Sequence, residues 1–92
     1  MPSVKADLIN NKITSLKKDA HEWSLNGVSW TTYTRTETSV LFKNVFDAFE
    51  GLEYMGTVDN NYVIYFRTKA VARKSPASLP KKILIPAGYL NY

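Results

Sequence analysis

The sequence predicts an α+β fold: an antiparallel sheet of about four to five strands, made of two hairpins and a short C-terminal strand, with one or two helices packed on one face. Asn26-Gly27 is a strong signal for a hairpin turn. Residues 39–50 repeat apolar side chains at helical spacing, and residues 62–72 alternate as a strand does. A chain of 92 residues is expected to form a single domain.

Residues 4–20 carry apolar side chains at intervals of three and four, which favours a first helix. The alternative for this segment is a hairpin that turns at Asn10-Asn11. Of the two, the sequence pattern favours the helix.

Residues 21–35 predict a hairpin. A type I′ turn at Asn26-Gly27 places Trp23 opposite Trp30, so we expect a cross-strand tryptophan pair on the apolar face. The other face, which includes Tyr33, is expected to be solvated. His21 lies at the open end of the hairpin and is expected to be a surface residue.

Residues 39–50 predict the helix that packs on the sheet. Thr38 is a suitable N-cap, and Gly51 stands where a left-handed residue ends a helix. The apolar face of this helix consists of Leu41, Phe42, Val45, Phe46, Phe49 and Leu52.

Residues 52–58 and 62–72 predict a second hairpin around Asp59-Asn60-Asn61. The alternation of its second strand directs Tyr62, Ile64 and Phe66 to the core and leaves the intervening side chains on the solvent face.

Residues 73–82 contain two prolines and two serines, and predict a basic flexible segment within the single domain 1–92. Residues 83–85 then predict a short strand that ends at Pro86. The apolar tail 89–92 is expected to dock on the core or on a second protomer, which favours a homodimer.

The charge distribution carries the functional prediction. The formal net charge is +4, all eight acids lie in residues 1–59, and residues 60–92 hold six cations and no acid. Clustered cations attract polyanions. The predicted nucleic-acid-binding residues are Tyr65, Arg67, Lys69, Arg73, Lys74, Lys81 and Lys82.

In this prediction the cations neutralise phosphates and Tyr65 stacks on a base. RNA or single-stranded nucleic acid is favoured over duplex DNA, with little sequence preference, because no basic recognition helix is evident. The alternative is that the cations of residues 63–73 protect an edge strand from aggregation.

Several kinds of chemistry are not expected. The chain has no cysteine and one histidine, so no metal site, no cofactor and no catalytic residue are predicted. No apolar run approaches the length that crosses a bilayer, and no secretory signal is evident, so we expect a cytoplasmic location and no membrane partner.

The order of elements from Trp23 to Lys69 resembles the double-wing DNA-binding domain of the T-even phage middle-promoter activator. The small basic chain also resembles small early phage proteins that bind nucleic acid or disarm a host nuclease, which implies a regulatory or counter-defence factor. One alternative is a protein-binding inhibitor or antitoxin-like module that acts on a nuclease. A second is a metal-independent ribonuclease similar to RelE-like toxins, in which the acid-base and cationic groups would come from Tyr65, Arg67, Lys69 and Tyr92. Loss of RNA cleavage on His21→Ala or Tyr92→Phe would support it.

Overall fold

The computed structural model describes residues 3–71 and 76–89. Its strands are β1 (Lys5–Asp7), β2 (Lys12–Thr14), β3 (His21–Ser24), β4 (Thr31–Thr32), β5 (Val40–Leu41), β6 (Asn61–Thr68) and β7 (Lys81–Pro86). The helix α1 is Val45–Ala48, and 3₁₀ turns span Phe42–Asn44, Leu52–Met55 and Ala87–Tyr89. The strands form two antiparallel sheets, β1-β2-β5 and β4-β3-β6-β7. The α+β class is confirmed, but the strands are divided between two sheets.

The predicted helix over residues 4–20 is wrong, and the alternative hairpin at Asn10-Asn11 is confirmed. The Asp7 carboxylate accepts hydrogen bonds from the backbone N–H of Ile9 at 3.0 Å and of Asn10 at 3.1 Å, and Asn11 has a φ of 55°. Such local bonds compete with helical ones. The apolar residues of this hairpin therefore recur at intervals of three and four although they form no helix. One of them, Ile9, is 91% exposed.

The hairpin predicted over residues 21–35 forms, but its register differs from the predicted one. Trp23 lies opposite Thr31, not Trp30, and residues 25–30 form a loop. The Asn26 side-chain oxygen accepts the backbone N–H of Val28 at 2.8 Å and of Ser29 at 2.9 Å. These bonds hold a longer loop in place of the two-residue turn, because asparagine side chains readily replace backbone turn acceptors.

Tyr33 is buried, whereas the sequence predicted a solvated side chain. Its hydroxyl donates to the backbone oxygen of Glu37 at 2.7 Å, so the polar end of the ring is satisfied inside the protein. The chain leaves β4 just before Tyr33, and the strict alternation on which the prediction rested ends there.

The predicted helix over residues 39–50 is much shorter in the structure. Thr38 makes no side-chain cap, because this part of the chain is extended and precedes strand β5. The backbone carbonyl of Thr38 accepts the N–H of Leu16 at 2.9 Å. Gly51 has the predicted left-handed conformation, with a φ of 94°. The apolar face is confirmed for its buried members Phe42, Val45, Phe49 and Leu52, whereas Leu41 is exposed.

Strand β6 confirms the predicted alternation, since Ile64 and Phe66 are fully buried. Residues 52–58 form no strand beyond one bridge between Val58 and Asn61, although the turn between these two residues is present. Because β6 lies between β3 and β7, the protected-edge alternative is wrong for this strand.

Strand β7 is longer than the predicted strand 83–85, because it begins at Lys81. Its six residues all pair with β6. Residues 90–92, the greater part of the predicted docking tail, lie outside the described residues.

One core cluster takes side chains from both sheets and from the connection between them. Phe49 is at its centre, with its ring edge-on to Trp23 at 5.3 Å and to Phe66 at 5.5 Å between centroids. This core covers one face of the larger sheet. The opposite face is partly covered as well, since Ser24 is buried and the Trp30 ring lies over Arg67.

Candidate nucleic-acid interface

The face of the larger sheet that points away from the core is the candidate interface, and we call it the outer face. Strand register assigns its members, because residues directly opposite each other in a sheet share a face. Glu22 lies opposite Arg67, and Ser24 and Lys82 lie on either side of Tyr65. The outer face consists of Glu22, Ser24, Val63, Tyr65, Arg67, Lys82 and Leu84.

Arg67 is on the outer face, but its charge is already paired. Its Nε lies 2.8 Å from Oε1 of Glu22, and its guanidinium carbon lies 4.2 Å from the centre of the Trp30 ring. The two charged side chains are 27% and 15% exposed. The sequence did not predict this carboxylate, and it reduces the positive potential that Arg67 offers to a ligand.

Tyr65 and Lys82 are neighbouring aromatic and cationic residues of this face, with Tyr65 partly buried and Lys82 exposed. Ala87 donates its N–H to the Asn60 oxygen at 2.9 Å, which makes residues 60 and 87 a hydrogen-bonded pair. By alternation Tyr65 and Lys82 are a non-hydrogen-bonded pair, whose side chains start about 4.5–5.5 Å apart. The two side chains therefore leave the sheet next to each other and line the same groove.

A shallow groove of about 200 Å³ adjoins this pair. Its lining includes Leu25, Met55, Val58, Val63, Tyr65 and Lys82. Most of these side chains are apolar, and the lysine supplies the single charge among them. The groove therefore combines mostly apolar side chains with one cation, which suits a planar aromatic group that carries a phosphate.

The remaining predicted site residues divide between different parts of the molecule. Lys69 is exposed, and its N–H donates to the Ala20 oxygen at 2.8 Å, which extends the β3–β6 pairing and puts it on the side of Arg67. Lys81 lies opposite Phe66, hence on the core side of the sheet, and is partly buried. Lys81 and Lys82 belong to β7, so their predicted place in a flexible segment is wrong.

Two of the predicted site residues, Arg73 and Lys74, lie outside the described residues. Among the described residues, ion pairs form between Arg67 and Glu22 and between Arg35 and Glu37. Lys69, Lys81 and Lys82 therefore have no carboxylate partner in the described part of the chain, and their charges are available to an anion.

His21 is 4% exposed, so the predicted surface position is wrong. Its Nδ1 accepts the backbone N–H of Lys17 at 3.2 Å, and burial, followed by the charge of Lys17, lowers its pKa below 6.5. The sequence held a signal for this burial: His21 has the same strand parity as Trp23, which faces the core. An imidazole in this position stabilises the turn over residues 17–21.

Within residues 3–71 and 76–89, no cluster of three or more histidine, cysteine, aspartate or glutamate side chains is arranged to hold a metal ion. In the same ranges no helix has the length and apolar character needed to cross a membrane. The groove beside Tyr65 and Lys82 is the candidate ligand site of the outer face.

Comparison with protein-family models, with curated proteins and with solved structures found no match to this chain. The resemblances to phage regulators and to RelE-like toxins therefore remain predictions from the order of elements and from charge. The functional argument rests on the outer face itself.

Proposed function

We propose that this protein binds single-stranded nucleic acid, RNA in preference to duplex DNA, across the outer face and without turnover. The observation that carries the proposal is the pair formed by Tyr65 and Lys82 beside the apolar groove. Proteins that bind single strands combine aromatic side chains, on which bases stack, with cations that follow the phosphates.

The arrangement of charges supports an extended strand as the ligand. Tyr65 and Lys69 are four residues apart on one face, which corresponds to about 13 Å along the sheet. A base on Tyr65 therefore leaves the neighbouring phosphates within reach of Lys82 on one side and Lys69 on the other. A flat sheet face of this kind offers no recognition helix to a duplex major groove.

Arg67 has a different role in this proposal from the one expected of a free cation. Glu22 neutralises it and Trp30 covers it, so it holds the centre of the outer face rigid. With about two phosphates engaged, by Lys69 and Lys82, affinity for a single strand falls about sevenfold between about 50 and 200 mM salt. This is a shallower dependence than a face with every cation unpaired would give.

The test is fluorescence anisotropy with a labelled single-stranded RNA and the corresponding duplex DNA. Lys82→Gln is expected to weaken RNA binding about eightfold at about 50 mM salt, since it removes one phosphate contact. Lys43→Gln is the matched control, because Lys43 is an exposed lysine in the 3₁₀ turn that precedes α1. Equal effects of the two substitutions, or wild-type protein that binds no RNA, would contradict the proposal.

Tyr65 provides a second, independent arm of the test. Tyr65→Leu keeps an apolar side chain but removes the ring, and is expected to weaken binding about 5- to 150-fold. Tyr65→Phe retains the ring and is expected to bind nearly as well as wild type. If the Tyr65→Leu and Tyr65→Phe proteins bind RNA with equal affinity, Tyr65 does not stack on a base.

A second candidate function is an inhibitor that binds another protein, such as a nuclease, through the same face. The observation that favours it is the exposure of apolar side chains around the groove: Met55 is 54%, Val58 is 61% and Leu84 is 44% exposed. This candidate would be favoured if the wild-type protein binds no RNA but inhibits a nuclease, and if the Val58→Lys variant no longer inhibits that nuclease.

A further inference from the structure

Strand β7 is an edge of the larger sheet, because it pairs with β6 and with no other strand of the described chain. The hydrogen bond from the Ala87 N–H to the Asn60 oxygen shows which backbone groups of β7 point to β6, because these groups alternate in direction along an antiparallel strand. Residues 81, 83 and 85 direct their N–H and C=O groups to β6. Residues 82, 84 and 86 direct theirs away from the sheet.

The outward edge therefore presents two donors, the N–H groups of Lys82 and Leu84, and the carbonyls of residues 82, 84 and 86. Pro86 has no N–H to offer. Strand β1 approaches β7, but no backbone hydrogen bond joins the two among the described residues. The Leu84 side chain is 44% exposed beside these unpaired groups.

We propose that this edge pairs antiparallel with β7 of a second copy of the chain, about a two-fold axis at Leu84. Each Leu84 then exchanges both backbone bonds with its equivalent, and each Lys82 N–H donates to the Pro86 carbonyl of the other copy. All outward donors of the edge find acceptors. The missing N–H of Pro86 removes only one bond for each strand end.

The alternative registers are less favourable. An axis at Lys82 sets two lysines directly opposite each other, and an axis at Pro86 pairs two residues that lack an N–H. An axis at Ile83 also forms four bonds, but it leaves the two Lys82 side chains diagonal at about 7–8 Å. The axis at Leu84 separates them by about 13 Å, beyond the Debye length of about 8 Å at physiological salt.

A second copy fits this edge better than an unrelated peptide because the edge is complementary to itself. The pairing also opposes two exposed Leu84 side chains, which removes both from water. The contact is small, so the expected dissociation constant lies in about the micromolar to millimolar range. The proposal does not rest on nucleic-acid binding, because it uses the outward backbone groups of the strand edge, although the side chains of Lys82 and Leu84 belong to the outer face.

The test is sedimentation equilibrium of the whole chain over a dilution series that reaches about 1 mM. Wild-type protein is expected to pass reversibly from monomer to dimer. Leu84→Pro removes an outward N–H without breaking a bond to β6, and is expected to weaken the dimer about 30-fold. A monomer at every concentration, or a Leu84→Pro protein that dimerises as wild type does, would overturn the proposal.

A second variant guards against misfolding of the proline protein. Leu84→Lys keeps the backbone intact but opposes two lysines at the axis, and is expected to abolish the dimer. Leu79→Lys adds the same charge at a position that is 77% exposed and outside β7, and is expected to leave the dimer unchanged. If both lysine variants dissociate equally, the effect is one of net charge and the edge pairing is refuted.

Amide hydrogen exchange locates the contact directly. Ile83 and Ile85, whose N–H groups point to β6, are expected to be protected at all concentrations. Lys82 and Leu84 are expected to exchange fast when dilute and slowly when concentrated. Concentration-dependent protection of other residues alone, or exchange of the Lys82 and Leu84 amides that does not change with concentration, would overturn the dimer.

Discussion

The substitution Glu22→Gln tests whether Glu22 neutralises the charge of Arg67 on the outer face. In the structure Glu22 accepts a hydrogen bond from Arg67 Nε at 2.8 Å, and the pair is mostly shielded from water. Glu22→Gln keeps an oxygen that accepts this bond but removes the negative charge. Arg67 then contributes its charge to the outer face, so we expect tighter binding of single-stranded RNA by a less stable protein.

The expected magnitudes follow from the geometry. One more phosphate contact raises affinity for a single strand about eightfold at about 50 mM salt, and steepens the dependence of log affinity on log salt by about 0.7. Loss of a charge-assisted bond at a partly buried site costs about 1–2 kcal/mol of unfolding free energy. For a domain of this size, this lowers the melting temperature by about 4–8 °C for each kcal/mol.

The assay is RNA anisotropy at several salt concentrations, paired with thermal unfolding. Glu37→Gln is the matched control: it is the same substitution in the other ion pair, where Arg35 and Glu37 are 41% and 49% exposed. This control changes net charge equally but leaves Arg67 paired. If the two variants bind RNA with the same affinity and the same salt slope, the reasoning about Arg67 is refuted.

The remaining predictions concern stability. Burial lowers the pKa of His21 below 6.5, so the unfolded chain binds the proton more readily than the folded chain. The contribution of His21 to the free energy of unfolding is therefore complete above pH 6.5, and it is lost as the pH falls below that value. Urea unfolding of wild type between about pH 7.5 and 5 is expected to show this loss, and His21→Gln is expected to flatten that part of the profile. Phe49→Ala is expected to lower the unfolding free energy by about 3–5 kcal/mol. The control Leu41→Ala, at a residue that is 41% exposed, is expected to lower it far less. Equal denaturant midpoints for the two variants would show that Phe49 is not central to the core.

The parts of the fold that sequence predicted correctly are those that depend on neighbours along the chain. The alternation of β6 identified Ile64 and Phe66 as core residues, because a strand buried on one face repeats every second residue whatever it pairs with. The left-handed conformation of Gly51 is equally local.

Local pattern failed where a partner distant in sequence decided the outcome. The spacing in residues 4–20 fits a helix or a hairpin, and pairing of β2 with β5 selects the hairpin. The register of β3 is held by its ladder with β6, where Trp23 lies opposite Phe66, and not by the Asn26-Gly27 turn alone.

The candidate site shows the same division. Composition and the order of charges determined that residues 60–92 are basic, and strand alternation predicted that Tyr65 shares a face with Arg67. Only the tertiary structure decided that Glu22, 45 residues away, neutralises Arg67 and that Lys82 stands beside Tyr65. The physical reason is that the direction of a side chain is set by its own strand, whereas its electrostatic partner is set by strand order, which the chain defines only on folding.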